Sequence, residues 1–184
     1  MDTLNELSEQ VGQALKKKGW LLATAESVTG GGISQLITDI AGSSEWFDCG
    51  FTTYSNNSKT QCLGVPEALI AQLGAVSEEV AAEMAKGALV NTDADVALST
   101  TGIAGPAGAV PGKPVGTVCF GWAHGKIIHT ERLVFSGDRR AVREQTVIHA
   151  LKGLSPASFT RILFEDRTSR RLQIICKASI SFCE

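Results

Sequence analysis

Two features that would settle a function quickly are missing from this 184-residue sequence: an apolar run of the roughly 20 residues that cross a bilayer, and any close pair of cysteines. The first absence argues against a membrane-spanning protein, and the start, Met1-Asp2-Thr3-Leu4-Asn5-Glu6, lacks the basic and apolar regions of a signal peptide, so the expected location is the cytoplasm. The cysteines (Cys49, Cys62, Cys119, Cys176, Cys183) are odd in number and scattered, which suggests neither a disulfide framework nor a zinc ribbon. His124, His129 and His149 form no H-E-x-x-H or similar set, so no metal site is expected. No G-x-x-x-x-G-K-[ST] occurs, which disfavours a nucleotide triphosphatase. A large excess of one sign of charge is missing too. A formal net charge of −2 gives no general reason to bind nucleic acid or an anionic membrane, so any anion site must be local.

What remains is an alternation of apolar strands and amphipathic helices. Thr3 with Glu6 suggests a capping box for a first helix with a stripe of Leu4, Leu7, Val11, Ala14 and Leu15. Residues 20–25 read as a buried strand, and Ile33, Leu36, Ile37 and Ile40 recur at i, i+3, i+4 and i+7 as in an amphipathic helix. Residues 46–54 read as a strand with Phe47, Cys49, Phe51 and Thr53 on one parity. A short helix bearing Lys59 in its first turn follows, Gly64-Val65-Pro66 restarts a helix that Gly74 ends, and Ser77 caps another. That helix carries Val80, Ala81, Met84, Ala85 and Ala88, small enough for close packing. A strand over residues 95–99 leads into Thr100-Thr101-Gly102-Ile103-Ala104-Gly105-Pro106, a loop of small residues. Runs at 115–123 and 126–135 flank His124-Gly125 as a hairpin, and Ser136-Gly137-Asp138 caps a final helix through Leu154. This order predicts a single α/β domain, residues 1–154, with helices on both faces of a mixed sheet. Residues 155–184 form a basic extension: five basic residues against three acidic ones, a local +2 that leaves −4 on the domain. Within it, Leu172, Ile174 and Ile175 suggest a short strand or an exposed apolar patch.

The chemistry concentrates at three turns. Ser27, in Ala25-Glu26-Ser27-Val28-Thr29-Gly30-Gly31-Gly32, stands where a strand gives way to a glycine-rich helix start. Backbone N–H groups there suit an anion or an oxyanion; the same turn also suits Ser27 or Thr29 as a simple helix cap. No local histidine is assigned to Ser27 as base. Lysine is the remaining choice, and Lys59, in the first turn of its helix, would lose its proton more readily there and if buried. Tyr54 could orient Lys59 or relay a proton, with Ser55 or Ser58 assisting; an ordinary surface lysine is the alternative. Arg139 and Arg140, at a helix start where cations are disfavoured, ask for an anion such as phosphate or for Asp138, and Arg143 shares the face of Arg139. The Thr101-Gly102-Ile103-Ala104-Gly105 loop lies at a strand's carboxyl end, where open α/β sheets bind ligands.

Together with Ala41-Gly42-Ser43-Ser44, Thr53-Tyr54-Ser55-Asn56, Gly74-Ala75-Val76-Ser77 and Lys113-Pro114-Val115-Gly116-Thr117, these segments resemble the C-terminal domain family of CinA, the competence/damage-inducible proteins, over residues 4–154. The resemblance implies a three-layer α/β/α sandwich, often a homodimer, and an activity found in stand-alone members: hydrolysis of nicotinamide mononucleotide to nicotinate mononucleotide and ammonia. It implies Ser27 and Lys59 as a catalytic pair with Tyr54 beside them. It further implies a substrate held by Thr101, Gly102, Ile103, Ala104 and Gly105, with Arg139 on the 5′-phosphate; the N–H groups of Thr29, Gly30 and Gly31 are expected to bind it at the oxyanion, and Arg143 to add a second contact to the anion. The expected partner is this small nucleotide, with no cofactor, metal, nucleic acid or membrane. A catalytically silent paralogue that keeps the nucleotide pocket, and a DNA-associated competence factor, are the other readings the resemblance admits. Val28 stands where many members have cysteine.

Overall fold

The computed structural model describes residues 2–155. The basic extension, with Leu172, Ile174 and Ile175, lies almost wholly outside the described residues. Five strands form one mixed sheet in the order β2-β1-β3-β4-β5. Strands β1 (Leu22–Glu26), β2 (Phe47–Thr52) and β3 (Val96–Gly102) are parallel, and β4 (Thr117–His124) and β5 (Ile127–Val134) continue the sheet antiparallel from β3. The expected hairpin is present, with Gly125 at φ +58° in its turn. The parallel strands end level: Glu26 aligns with Thr52 on one side and Thr100 on the other.

Helices cover both faces. α1 (Asp2–Lys18), α2 (Gly32–Thr38) and α6 (Arg139–Gly153) pack on one, enclosing Val11, Leu15, Ile33, Ile37, Val142 and Leu151 with Trp46, Phe120 and Trp122. α3 (Asn56–Leu63), α4 (Glu67–Leu73) and α5 (Glu78–Val90) pack on the other, around Leu63, Ile70, Val80, Met84 and Ala88. Each buried aliphatic or aromatic side chain contributes about 1.5–3 kcal/mol. The small residues of α5 serve the close approach foreseen for them: a Cβ at Gly87 would collide with the backbone of Leu63 on α3.

Local boundaries moved where tertiary contacts override local signals. α1 begins at Asp2, ahead of the expected cap at Thr3. β3 runs on to Gly102, so Thr100 and Thr101 are strand residues, paired with Phe120 and Cys119, and not loop residues. Neither Ser27 nor Thr29 caps α2; Gly31, at φ +91°, precedes it.

The architecture sends consecutive connections to opposite sides. The helix after β1 lies on the α1/α6 face and the helix after β2 lies on the α5 face, although the two strands are neighbours. Such a divergence opens a crevice at the strands' carboxyl ends.

Candidate active site

Ser27 sits in that crevice, one residue beyond the end of β1. Strand alternation sends Glu26 and Ser27 to opposite faces of the sheet. Glu26, fully buried, turns toward α2, where its carboxylate accepts from the N–H groups of Ile33 (3.0 Å) and Ser34 (2.8 Å) and from the Ser34 hydroxyl (2.7 Å). Ser27 turns toward α3. Its own N–H donates to the Thr100 carbonyl at 2.9 Å, fixing the turn to the neighbouring strand.

α3 brings the base. Ser55 and Ser58 form a reciprocal capping box, each side chain on the other's backbone N–H, and this starts the helix so that Lys59 points back under the sheet edge. Lys59 is 1% exposed and Ser27 8%. The Lys59 Nζ lies 2.9 Å from Ser27 Oγ, 2.8 Å from the Thr53 carbonyl oxygen and 3.4 Å from that of Tyr54. Burial lowers the amine from 10.5 to about 8. The partners then define the direction of proton transfer. An ammonium can donate to all three; a neutral amine keeps two hydrogens, which the two carbonyls, acceptors only, retain. Its lone pair is left for the Ser27 hydroxyl.

The pair opens into a cavity of about 170 Å³ lined by Val28, Tyr54, Asn56, Thr101, Ala104 and Arg139 among others. Tyr54 touches Lys59 through its carbonyl, and its hydroxyl accepts instead from Arg139 Nη2 at 3.1 Å. It therefore neither orients Lys59 with its ring nor stands in a proton relay to it. Arg139 also donates to the Gly105 carbonyl at 3.0 Å, which ties α6 to the loop after β3. Thr101 borders the cavity but gives its hydroxyl to the Ala75 carbonyl at 2.7 Å. Gly102 and Ala104 line the same cavity, while the Ile103 N–H pairs with Thr117.

Thr29, Gly30, Gly31 and Arg143 do not line that cavity. The Gly30 N–H closes a turn onto the Ser27 carbonyl at 3.1 Å, and the Thr29 hydroxyl pairs with that of Thr100 at 2.8 Å. Arg143 Nη2 donates to the Thr29 carbonyl at 2.7 Å, and both residues line a separate groove of about 480 Å³ between α1, α2 and α6. The electropositive start of α2, expected to receive substrate, already holds the carboxylate of Glu26. Arg143 braces the Ser27–Gly30 turn from behind. Glu26 went unread because an acid at a strand end looks like an ordinary boundary residue; the signal was its spacing, seven and eight residues ahead of two N–H groups of an unsatisfied helix start. Arg140 is exposed and paired with Glu144 at 2.7 Å. The histidines are engaged away from Ser27: His124 with the Asp95 carbonyl, His149 with Glu131, and His129 stacked on Trp122.

The fold and the site together define a doubly covered α/β domain with a buried serine–lysine pair at the carboxyl edge of its parallel strands. The CinA C-terminal domain model matches residues 4–157, and the chain belongs to that family. It is 58% identical over 153 residues to the nicotinamide-nucleotide amidohydrolase PncC of Escherichia coli strain K12, covering 82% of this chain and 92% of that protein. It is 50% identical over 154 residues to the enzyme of the same name from Pseudomonas putida, covering 84% and 96%. Among solved structures, a CinA superfamily protein from Escherichia coli superposes with a TM-score of 0.81 at 37% identity, covering 83% of this chain and 89% of that one.

Proposed function

We propose that this chain is a nicotinamide-nucleotide amidohydrolase that acts by a serine–lysine mechanism. The observation that carries the mechanism is the 2.9 Å contact between Lys59 Nζ and Ser27 Oγ, with both amine hydrogens claimed by carbonyls. Identity of 50–58% to curated amidohydrolases over most of the chain supports the substrate.

In the first half-reaction Ser27 Oγ attacks the carboxamide carbon as Lys59 takes its proton. Val28 lines the cavity next to Ser27, whereas Thr29, Gly30 and Gly31 do not, so its N–H is the oxyanion donor of this reading in place of the Thr29–Gly31 amides. Lys59 then returns the proton to the departing nitrogen, releasing ammonia and leaving an acyl-serine. In the second half, Lys59 deprotonates water, which attacks the acyl carbon, and Ser27 Oγ leaves with the proton. The sum is carboxamide plus water to carboxylic acid plus ammonia, which exchange a proton in solution to give carboxylate and ammonium. Arg139, the cation that lines the cavity beside Lys59, holds the phosphate, exchanging its bonds to Tyr54 and Gly105 for ones to the ligand.

Ammonia release from nicotinamide mononucleotide tests this directly. Wild-type protein is expected to release ammonia and Ser27→Ala to release none. Binding of the nucleotide by wild type without ammonia would instead identify a pocket-only paralogue. The free thiols of Cys49, Cys62 and Cys119 support a reducing, cytoplasmic setting.

A further inference from the structure

The cavity around Ser27 is too small for its proposed substrate. At about 170 Å³ it falls below the roughly 300–1,000 Å³ of pockets that bury a whole small ligand, so it takes the carboxamide-bearing ring and leaves the sugar at the mouth. One residue of the lining, Asn56, also lines a second cavity of about 250 Å³ between α3 and α4. Asn56 therefore forms part of the wall of both spaces. The second is walled by Asn57, Thr60 and Glu67 over a floor of Ile70 and Ala71.

This wall has a definite chemistry. Carboxamides, a hydroxyl and a carboxylate present several acceptors and a few neutral donors, with no cation among them. A carboxylate there repels phosphate and accepts from hydroxyls. Arg139, which suits phosphate, lines the catalytic cavity and not this one. The side-chain amides of Asn56 and Asn57 and the carboxylate of Glu67 make no side-chain hydrogen bond among the described residues. Asn56 is held in place by its backbone: it is the first residue of α3, and its carbonyl accepts from Thr60 Oγ1 at 3.5 Å.

We propose that the α3/α4 cavity is the subsite for the vicinal hydroxyls of the substrate's ribose, with Asn56 and Glu67 as its specificity-determining residues. This rests on the amidohydrolase reading. The ribose lies at the cavity mouth with its hydroxyls toward Asn56 and its 5′ arm toward Arg139. A sugar hydroxyl that pairs with both a carboxamide and a carboxylate leaves two polar groups unsatisfied when it is absent, which is how such sites reject deoxy analogues.

The test crosses a change in the protein with a change in the ligand. Ammonia release is measured for wild type, Asn56→Ala and Glu67→Ala, each with nicotinamide mononucleotide and with its 2′,3′-dideoxyribose analogue. Wild type is expected to lose at least about ten-fold in kcat/KM on removal of the hydroxyls, mainly through KM, and each variant to discriminate less than about three-fold. Wild type indifferent to the hydroxyls, or both variants discriminating as wild type does, overturns the proposal. Should wild type release no ammonia from either compound, the amidohydrolase reading fails by itself. Calorimetric affinities of the same compounds for the same proteins then decide the subsite by the same ratios.

Discussion

Two neighbouring turns, one after β1 and one after β2, start from the same situation and end differently. Both leave the carboxyl edge of adjacent parallel strands and both open a helix, yet one goes to each face of the sheet. The first satisfies its helix with a buried carboxylate, Glu26, and so presents a neutral serine to the crevice. The second satisfies its helix with two serines, Ser55 and Ser58, and so is free to bury a lysine four residues on. An amine there has no carboxylate within ion-pair distance among the described residues, and burial alone lowers it to about 8. Had the acid and the lysine shared one face, they would have formed an ion pair and the amine would have been held in its charged form. Opposite faces keep a charge that stabilises the fold apart from an amine that must give up its charge.

The sharpest way to break this arrangement is Lys59→Met. Loss of the base should lower kcat/KM by at least about 10³-fold. The same change tests the cost of burying the amine. Because Lys59 titrates near 8 in the folded chain and near 10.5 unfolded, the unfolded chain binds more protons between those values. Stability therefore rises with pH across that window and is lowest below it. Lys59→Met is expected to melt no lower than wild type at pH 7 and to lose the rise between pH 8 and 10.5; a melting point well below wild type at pH 7 would contradict the account. In wild type, kcat/KM should climb about ten-fold per pH unit below 8 and level off above it, as the neutral amine accumulates.

Glu26→Gln strikes the other turn. Two backbone N–H groups and a hydroxyl lose a charged acceptor, at a cost of about 3 kcal/mol, or roughly 6–12 °C in melting temperature for a domain of this size. A shift under 2 °C, about what a surface substitution gives, would remove Glu26 from the role of helix anchor. Smaller effects separate two arginines one helical turn apart. Arg139→Gln should raise KM for the mononucleotide about ten-fold, whereas Arg143→Gln, whose side chain supports Thr29, should leave KM within about three-fold. Steady-state kinetics on the two variants decides this. Least disruptive is Ser58→Ala, which removes half of a capping box and should cost about 1 kcal/mol in a denaturant titration.

Much of this was legible in the residues. Strand and helix periods gave the layers and the hairpin, and the family resemblance converged with local reasoning on Ser27 and Lys59. What was not legible depended on facing. Gly30 and Gly31 suggested an open amide nest, but their turn folds back on Ser27 and the helix start is filled by Glu26, a contact between residues that sequence spacing alone does not connect. Arg143 shares a helix face with Arg139, yet Thr29 lies behind the turn and Tyr54 in front, so the two guanidinium groups part company. Tyr54 was read for its hydroxyl, whereas its carbonyl meets Lys59. Asn56 entered only as the end of a resembling segment, because a polar residue opening a helix is unremarkable until it is found to line two cavities.

Tyr54 is the sole tyrosine of the chain, and the residue is 65% exposed with its hydroxyl on Arg139. Isotopic labelling of tyrosine alone would thus yield a single aromatic spin system, placed at the entrance to the cavity. A nucleotide that recruits Arg139 strips that phenol of its donor, so the resonance would register occupancy, and a titration would yield affinity even with a Ser27→Ala protein that turns nothing over.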